Sequence, residues 1–383
     1  MRKAFITPTK YVQGEDELLN LGYFVKTFGE KALLIGDPFA LNLVKDKLEE
    51  TQKKWGVEFV YADGFEGECC RPVIAKLQEQ AKAAGCTSTI GLGGGKAIDT
   101  SKCVAEGTNL IICPTIAATD APTSHSAVVY TEDHEFEDYA YFKQNPSVVL
   151  IDTNVIVNAP TRFLVSGMGD ALATFFEARA NVRSCSNVNA GLPCGANRAE
   201  GTLLGYGTDA SYALATLCYE NLKKYGVLAK VACDNNEVTP AFEKIVETNI
   251  LLSGLGFESS GLAAAHAIVD GLTLLPAHHD YFHGEMVAFC TICQLVLENA
   301  PKEELLEVID FCLAVGLPVC LGDMDSDNVD DELLLKVAEK ATIPDESIHN
   351  MPFPVTAQTT ASAIKIASKI GAARKKELGL SWF

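Results

Sequence analysis

TSTIGLGGGKAIDTSKCVAE, residues 87–106, is the stretch of this sequence that decides the fold. Residues 89–92 have the apolar character of a buried strand, three glycines follow at once, and a helical pattern then runs to about Ala105. Glycines lack a Cβ, so a bulky anion can approach their backbone closely. The helix behind them offers free N–H groups and the positive end of its dipole. The stretch therefore predicts a pyrophosphate-binding loop.

The spacing of these glycines matches neither of two familiar phosphate motifs. The dinucleotide fingerprint G-x-G-x-x-G would need a glycine at the position of Ile98, and no Gly-Lys-Ser/Thr ends the loop as in a P-loop. An ordinary glycine-rich turn between a strand and a helix therefore remains an alternative.

Short apolar segments alternate with helical patterns on both sides of this stretch. Alternation of this kind predicts a parallel sheet with helices on both faces, which binds ligands at the carboxyl ends of its strands. Asp37, the three glycines and residues 115–120 each follow a predicted strand. We expect a hairpin at residues 126–142 around a polar turn at 133–135. Strands are predicted at residues 4–6, 11–13, 31–36, 58–61, 89–92, 109–114 and 147–152. Helices are predicted at residues 15–28, 39–52 and 72–84.

The pattern changes after Pro160, where nearly everything to the end of the chain is helical. One predicted helix, at residues 167–182, carries Asp170 near its start, and another, at residues 261–275, carries His266 in its middle. We predict an α/β dinucleotide-binding domain at residues 1–162 and an all-α domain at residues 163–383, with the active site in the cleft between them. Residues 183–207 lack a clear period and are interpreted as a long loop or partly helical insertion.

Composition and charge exclude several classes of protein. The 383 residues carry a net charge of −19, which argues against nucleic acid and anionic membranes as partners. We find neither a signal peptide nor an apolar run long enough to span a membrane. Thirteen cysteines, an odd number, mostly in apolar contexts, fit a reduced cytoplasmic protein better than a disulfide framework.

Asp170, His266 and His283 lie in apolar or helix-start contexts and could supply the three N/O ligands of a catalytic Zn²⁺. Each has an ordinary alternative. A single helix histidine is commonly a hydrogen-bonded core residue, and Asp170 could be a charge stabilised near a helix N-terminus. His278 and His279 are rival ligands, in a polar turn.

Six stretches, in order along most of the chain, resemble the glycerol dehydrogenases, a family of the iron-containing alcohol dehydrogenase-like superfamily. The pattern Gly-Gly-Gly-x-x-x-Asp-x-x-Lys marks the superfamily, and Thr-Asp-Ala-Pro-Thr-Ser is more specific to the glycerol enzymes. The stretches are PTKYVQG (8–14), GLGGGKAIDTSK (91–102), PTIAATDAPTSHSAVVY (114–130), GMGDALATFFEARA (167–180), GLAAAHAIVDGL (261–272) and FHGEMVAF (282–289).

The resemblance implies NAD-dependent, zinc-assisted oxidation of glycerol, or a related vicinal diol, to dihydroxyacetone by a homo-oligomer. It implies that Asp37 binds the adenosine ribose and favours NAD over NADP, because a carboxylate repels a 2′-phosphate. It implies that Asp120 contacts the substrate. The implied zinc ligands are Asp170, His266 and His283. The implied pyrophosphate contacts are Gly93, Gly94, Gly95, Lys96 and Ala97. The implied contacts on the nicotinamide side are Thr115, Ala118, Ser124 and Tyr130, with Ser126 beside the cofactor.

Two departures from the family pattern matter. Thr174 stands where the wider iron-type enzymes carry a fourth ligand, a histidine, so the three-ligand zinc set is favoured. The segment 183–207 is longer than the family's usual connection.

The alternatives are a lyase resembling dehydroquinate synthase, a glycerol-1-phosphate dehydrogenase, and an NAD-binding protein that has lost the chemistry. Either of the first two needs a basic pocket for a phosphorylated substrate, and only Arg179 and Arg183 lie nearby in sequence.

Overall fold

A six-stranded sheet organises the N-terminal part of the chain. The computed structural model describes residues 2–65, 67–133, 136–191 and 205–380. Six strands pair in the order β1-β8-β5-β4-β2-β3, and every pairing is parallel, as the alternating pattern predicts. The eight strands are β1 (Tyr11–Gly14), β2 (Lys31–Ile35), β3 (Glu58–Tyr61), β4 (Ser88–Gly93), β5 (Asn109–Pro114), β6 (Ser126–Tyr130), β7 (Phe136–Tyr141) and β8 (Val148–Asp152).

Both faces of the sheet are covered. Leu33 and Leu34 are consecutive in β2, so their side chains point to opposite faces, and each belongs to a different apolar core cluster. Every residue of β4 and β8 is buried. Continuous apolar strands of this kind are typical of parallel sheets between two helical layers.

The helices of this region are α1 (Leu21–Phe28), α2 (Pro38–Leu43), α3 (Lys45–Trp55), α4 (Arg71–Ala84) and α5 (Gly95–Val104). Three predictions are corrected here. Residues 4–6 form no strand, the predicted helix at 15–28 begins with a 3₁₀ turn at Glu17–Asn20, and the predicted helix at 39–52 is divided at Val44. Apolar spacing alone does not reveal such breaks, because both helices keep one face on the core.

The predicted hairpin is confirmed: β6 and β7 pair antiparallel and stand apart from the main sheet. His134 and Glu135 of its predicted turn lie outside the described residues. Residues 192–204 of the predicted insertion also lie outside them.

Helices make up the rest of the described chain, beginning with a single turn, α6 (Thr153–Ile156). The long α7 begins at Thr161, near the predicted domain boundary, and the division into two domains stays a prediction. The others are α7 (Thr161–Ser184), α8 (Asp209–Asp234), α9 (Pro240–Glu247), α10 (Ser253–Ser260), α11 (Ala264–Leu272), α12 (His283–Leu297), α13 (Lys302–Val315), α14 (Asp331–Ala341) and α15 (Ala357–Glu377).

Helix α7 lies at the centre of the helical core. Its middle portion is buried on all sides, including the polar residues Asp170, Thr174 and Glu177. Buried polar side chains need partners to offset their lost hydration. The three buried polar residues of α7 therefore indicate a functional site on this helix. Across the described part of the chain, we find no helix both long and apolar enough to cross a membrane.

Candidate active site

The predicted pyrophosphate loop lies where β4 meets α5. Gly93 has φ +142°, a value that other residues rarely adopt, and a Cβ there would lie 3.2 Å from that of Ala97. Gly94 is the N-cap of α5, and a Cβ on Gly95 would meet no atom within 4 Å. Gly93 is therefore required by the backbone, whereas Gly95 leaves open space over a helix N-terminus, which suits a phosphate.

Asp37 follows β2, next to this loop. Its Oδ1 accepts a hydrogen bond from the backbone N–H of Ala40 at 2.9 Å and so caps α2. Its Oδ2 would lie 3.5 Å from a Cβ on Gly93. One carboxylate oxygen is thus used in the fold, and the other faces the glycine loop, where a ribose could contact it.

Lys96 and Ala97 occupy the first turn of α5, but their surroundings differ. Ala97 is buried, whereas the half-exposed Lys96 forms an ion pair of 2.7 Å with Glu68. A phosphate would compete with Glu68 for the ammonium group of Lys96. The remaining predicted phosphate contacts are backbone groups.

The other two residues of the superfamily pattern, Asp99 and Lys102, brace the loop after β5. The buried Lys102 Nζ donates to the carbonyl oxygens of Ala121 at 2.6 Å and Ser126 at 2.7 Å, and to Ser124 Oγ at 3.0 Å. Asp99 Oδ2 accepts from the N–H of Val128 at 3.1 Å. No role was predicted for these two side chains, although both belong to the superfamily pattern.

The predicted nicotinamide contacts lie along that same loop. Thr115 N–H donates to the carbonyl of Gly93 at 3.1 Å, and the carbonyl of Ala118 accepts from Ser166 Oγ at 3.4 Å. Tyr130, half-buried at the end of β6, donates its N–H to the carbonyl of Cys69 at 2.8 Å. Ser124 and Ser126 approach each other to 3.4 Å between their Oγ atoms beside Lys102.

Helices from the C-terminal region hold this loop from the other side. Asn249 lies in a π-helical turn, Thr248–Leu252, and its Nδ2 donates to the carbonyls of Ala117 and Leu164, both at 3.0 Å. His125 is buried, and its Nδ1 contacts Glu258 of α10. The loop after β5 is therefore fixed by both parts of the chain.

Asp170, His266 and His283 come together although they lie on three helices. Their nearest ligand atoms lie within 4.8 Å of one another. The Nε2 atoms of His266 and His283 lie 3.4 Å and 3.5 Å from Asp170 Oδ1. The structure thus places the three predicted ligands around one point.

Two glycines permit this approach. A Cβ on Gly169, which precedes Asp170, would lie 2.2 Å from the carbonyl oxygen of Gly284, and a Cβ on Gly284 would lie 1.8 Å from that of Ser166. Helix α7 and the start of α12 therefore touch backbone to backbone. Asp170 directly follows Gly169, and His283 directly precedes Gly284. The backbone contact between the two glycines therefore sets the distance between these two predicted ligands.

Two positional interpretations are corrected. Asp170 lies deep inside α7 rather than near a helix start, because α7 begins at Thr161 instead of at the predicted Gly167. The helix-dipole explanation for its charge is therefore wrong. His266 lies in the first turn of α11 rather than mid-helix, since α11 begins at Ala264.

The charges of Asp170, His266 and His283 depend on one another. Burial opposes ionisation of Asp170, but His266 and His283 outweigh it, so the pKa of Asp170 lies below its ordinary value. Burial also opposes the charged form of His266. The negative charges of Glu177 and Asp170 outweigh this effect of burial, so the pKa of His266 is raised. For His283, burial prevails and lowers its pKa.

The cluster fits a metal ion by its chemistry. Asp170 Oδ1 is buried and has no hydrogen-bond partner among the described residues, an expensive state for a carboxylate oxygen. Two imidazole nitrogens and one carboxylate oxygen form a donor set that Zn²⁺ accepts, with a position left for substrate. The rival His278 instead directs its Nδ1 to the carbonyl of Leu275 at 2.8 Å.

Asp120 adjoins the metal-ligand cluster. Its N–H donates to Asp170 Oδ2 at 3.3 Å, and its Oδ2 accepts from Ser253 Oγ at 2.6 Å. Burial and the charge of Asp170 raise the pKa of Asp120 well above its ordinary value. A second carboxylate, Asp270, is half-buried one turn after His266 on α11, and burial raises its pKa too. The role of Asp120 as a substrate contact stays a prediction, and Ser253 and Asp270 were not predicted from the sequence.

Comparison with known proteins identifies the family of the chain. A model of the family described as iron-containing alcohol dehydrogenase matches residues 8–153. The chain is 43% identical to a glycerol dehydrogenase of Escherichia coli O6:H1 and 40% identical to a glycolaldehyde reductase of Halobacterium salinarum, in both cases over 97% of this chain and 98% of the relative. The crystal structure of a glycerol dehydrogenase from Schizosaccharomyces pombe matches with a TM-score of 0.92 and 36% identity, covering 99% of this chain and 94% of that one.

Proposed function

The chain belongs to the iron-containing alcohol dehydrogenase family, among the glycerol dehydrogenases, and from this membership we propose that it oxidises glycerol or a related vicinal diol with NAD and Zn²⁺. It is an oxidoreductase of alcohols or polyols. The diol, the cofactor, the metal and the residues that bind them belong to the proposal.

One observation carries the proposal: the orphaned Oδ1 of Asp170 faces two imidazole Nε2 atoms directly beside Asp120. A buried carboxylate oxygen without a partner is destabilising unless a cation completes it. The neighbouring loop, which Lys102 and Asn249 fix, is the one on which we place the nicotinamide contacts. Metal and hydride acceptor would therefore meet at the carboxyl edge of the sheet.

Each group of the chain has a distinct task in this proposal. Asp170, His266 and His283 would hold the metal, and the glycine loop with Asp37 would hold the pyrophosphate and the ribose of NAD. When bound, Zn²⁺ supplies a Lewis acid that eases removal of the hydroxyl proton, and NAD accepts the hydride from carbon. Asp120, in its ionised form, would accept a hydrogen bond from a substrate hydroxyl and so orient the diol.

The charge around the site favours a neutral substrate. The carboxylates of Asp120, Asp170, Glu177 and Asp270 all interact electrostatically with one or both histidines. Arg179 forms ion pairs with Glu304 at 2.5 Å and Glu298 at 3.1 Å, and Arg183 lies 3.6 Å from Glu298. These arginines are therefore engaged by acidic residues, which weighs against the phosphorylated substrates of the two enzymatic alternatives.

The named relatives point to the same class of substrate. Glycerol and the reduced product of glycolaldehyde are both small, uncharged vicinal diols. Assembly as a homo-oligomer and a cytoplasmic location accompany the proposal as predictions.

The test is NADH formation from glycerol and NAD before chelation, after chelation and after Zn²⁺ is restored. We expect the activity to vanish and to return, His266→Ala to abolish it, and His279→Ala, outside the metal cluster, to keep it. A protein that binds zinc and NAD but oxidises no vicinal diol would overturn the dehydrogenase and favour the lyase.

A further inference from the structure

Glu177 is a buried carboxylate that the proposed reaction does not use. It lies on α7 two turns after Asp170, on the same face of the helix, and its side chain is fully buried. Burial of a carboxylate at this depth is costly unless hydrogen bonds offset the loss of hydration. Its partners therefore indicate what it does.

One oxygen of Glu177 caps the helix that carries His266. Oε1 accepts hydrogen bonds from the N–H of Ala263 at 2.8 Å and from the N–H of His266 at 3.0 Å. Ala263 is the N-cap of α11, and both N–H groups belong to the set that a helix start leaves unpaired. No side chain of α11 itself caps this end, so a distant residue supplies the acceptor.

The other oxygen holds the ring of His266. Oε2 lies 2.6 Å from Nδ1, while Nε2 on the far side of the ring lies 3.4 Å from Asp170 Oδ1. An ionised carboxylate can only accept a hydrogen bond, so Nδ1 must carry the proton. The lone pair of the neutral imidazole is then on Nε2, directed toward the proposed metal position.

We propose that Glu177 is the positioning residue of the metal centre: through Nδ1–H it fixes the tautomer and the ring orientation with which His266 presents Nε2. This inference rests on the proposed metal site. Carboxylates that support histidine ligands in this way commonly contribute about tenfold to hundredfold to metal affinity. Glu177 thus both caps the start of α11 and orients the His266 ring toward the proposed metal position.

Glu177→Gln separates the two tasks of the side chain. The amide oxygen of glutamine can keep both backbone hydrogen bonds, because Ala263 N–H and His266 N–H each require an acceptor. The amide NH₂ is then directed at His266 Nδ1 and can only donate, which moves the ring proton to Nε2 and removes the ligand lone pair. The fold is retained while the ligand is lost.

The experiment is competition of the full-length protein with a chromophoric chelator for Zn²⁺, together with thermal unfolding of the metal-free protein. We expect Glu177→Gln to weaken zinc binding about tenfold to hundredfold. The metal-free variant should still unfold cooperatively, but at a lower temperature than the parent, because the charge that pairs with His266 is lost. The visible spectrum of the Co²⁺-loaded variant should also change, because one nitrogen ligand is lost. Zinc affinity within about twofold of the parent would overturn the inference, since it lies below the range expected for such a partner.

Asp270→Asn is the matched control for charge. Asp270 acts electrostatically on both histidines, and no hydrogen bond joins its carboxylate to either ring within the described residues. Removing its charge measures the general electrostatic contribution to zinc affinity. If Asp270→Asn lowers zinc affinity as much as Glu177→Gln does, the lost affinity is due to charge alone, and the positioning role of Glu177 is overturned.

A second measurement needs no variant at position 177. Histidine-selective ¹⁵N spectra of the zinc-loaded parent, with His266→Ala for assignment, should show His266 protonated at Nδ1. Protonation at Nε2 would contradict the inference even if Glu177→Gln failed to fold. A parent that binds no zinc at all would instead overturn the proposed function, so the two failures are distinguishable.

Discussion

Ser253 Oγ donates a 2.6 Å hydrogen bond to the carboxylate of Asp120, and so joins the start of α10 to the loop after β5. Ser253 is itself bonded to Thr174 of α7 at 2.9 Å. Thr174 occupies the position where the wider iron-type enzymes carry a histidine. In this chain, Thr174 instead contacts the serine that bonds to Asp120, the proposed substrate contact.

Removal of the Ser253 hydroxyl should impair catalysis more than metal binding. Hydrogen bonds to charged groups contribute about 1.5–3 kcal/mol, so Ser253→Ala should lower kcat/KM for glycerol about tenfold to hundredfold. Ser253 also stabilises the ionised form of Asp120, so its loss raises the pKa of Asp120 further. The acidic limb of the pH–rate profile should therefore move to higher pH.

Thr174→Val is the control for that variant, because it leaves the bond between Ser253 and Asp120 in place. Its pH–rate profile should stay near that of the parent. Equal displacement of both profiles would show that Ser253 does not act on Asp120 directly.

A methyl group at Gly284 should disturb the metal centre. The added Cβ would lie 1.8 Å from the carbonyl oxygen of Ser166 and 3.0 Å from the nitrogen of Asp170, so α7 and α12 must separate. Overpacking typically costs about 1–3 kcal/mol, and the start of α12 carries His283. We expect Gly284→Ala to lower both the melting temperature and the zinc affinity.

Gly322→Ala is the matched control, because its nearest neighbours would lie 3.6 Å and 3.8 Å away, at ordinary contact distance. Competition with a zinc chelator measures both variants. Unchanged zinc affinity in Gly284→Ala would refute the view that this glycine sets the distance between the ligands.

Lys102→Met should destabilise the protein, because the carbonyls of Ala121 and Ser126 lose their buried donor. Unsatisfied buried acceptors of this kind cost about 2–4 kcal/mol in the free energy of unfolding. The loop that we expect to contact the nicotinamide loosens as well, so the KM for NAD should rise.

Lys96→Met provides the contrast on the same helix. The Lys96 side chain, which pairs with Glu68, is 55% exposed. Removing this ion pair should therefore change the free energy of unfolding by less than about 1 kcal/mol. Denaturant unfolding of the two variants distinguishes the buried lysine from the exposed one. Equal losses of stability would contradict this assignment.

The preference for NAD over NADP should depend on the charge of Asp37 and not on the hydrogen bond by which Asp37 caps α2. Asparagine caps helices about as well as aspartate, so Asp37→Asn should retain the bond to Ala40 N–H and the stability of α2. The negative charge that repels a 2′-phosphate is lost. We expect the ratio of kcat/KM for NAD to that for NADP to fall at least about tenfold, which corresponds to about 1.4 kcal/mol. An unchanged ratio would remove Asp37 from the proposed cofactor site.

Local patterns in the sequence were sufficient to predict the layered part of the fold. Alternating strands and helices, the glycine loop at residues 93–95 and the change of pattern after Pro160 correctly indicated a parallel sheet followed by helices. These features depend on interactions between near neighbours along the chain, such as apolar periodicity and the conformational freedom of glycine. The break at Val44 and the late start of α11 escaped prediction, because apolar spacing continues across both.

Motif resemblance was enough to predict Asp170, His266 and His283 as one set of metal ligands, but not what brings them together. The three proposed ligands come from three helices, and their separation depends on a backbone contact between Gly169 and Gly284. The partners of the site, Glu177 for His266 and Ser253 for Asp120, follow no fixed spacing along the chain. Only tertiary packing decides them, because a hydrogen bond between distant segments depends on where whole helices come to rest.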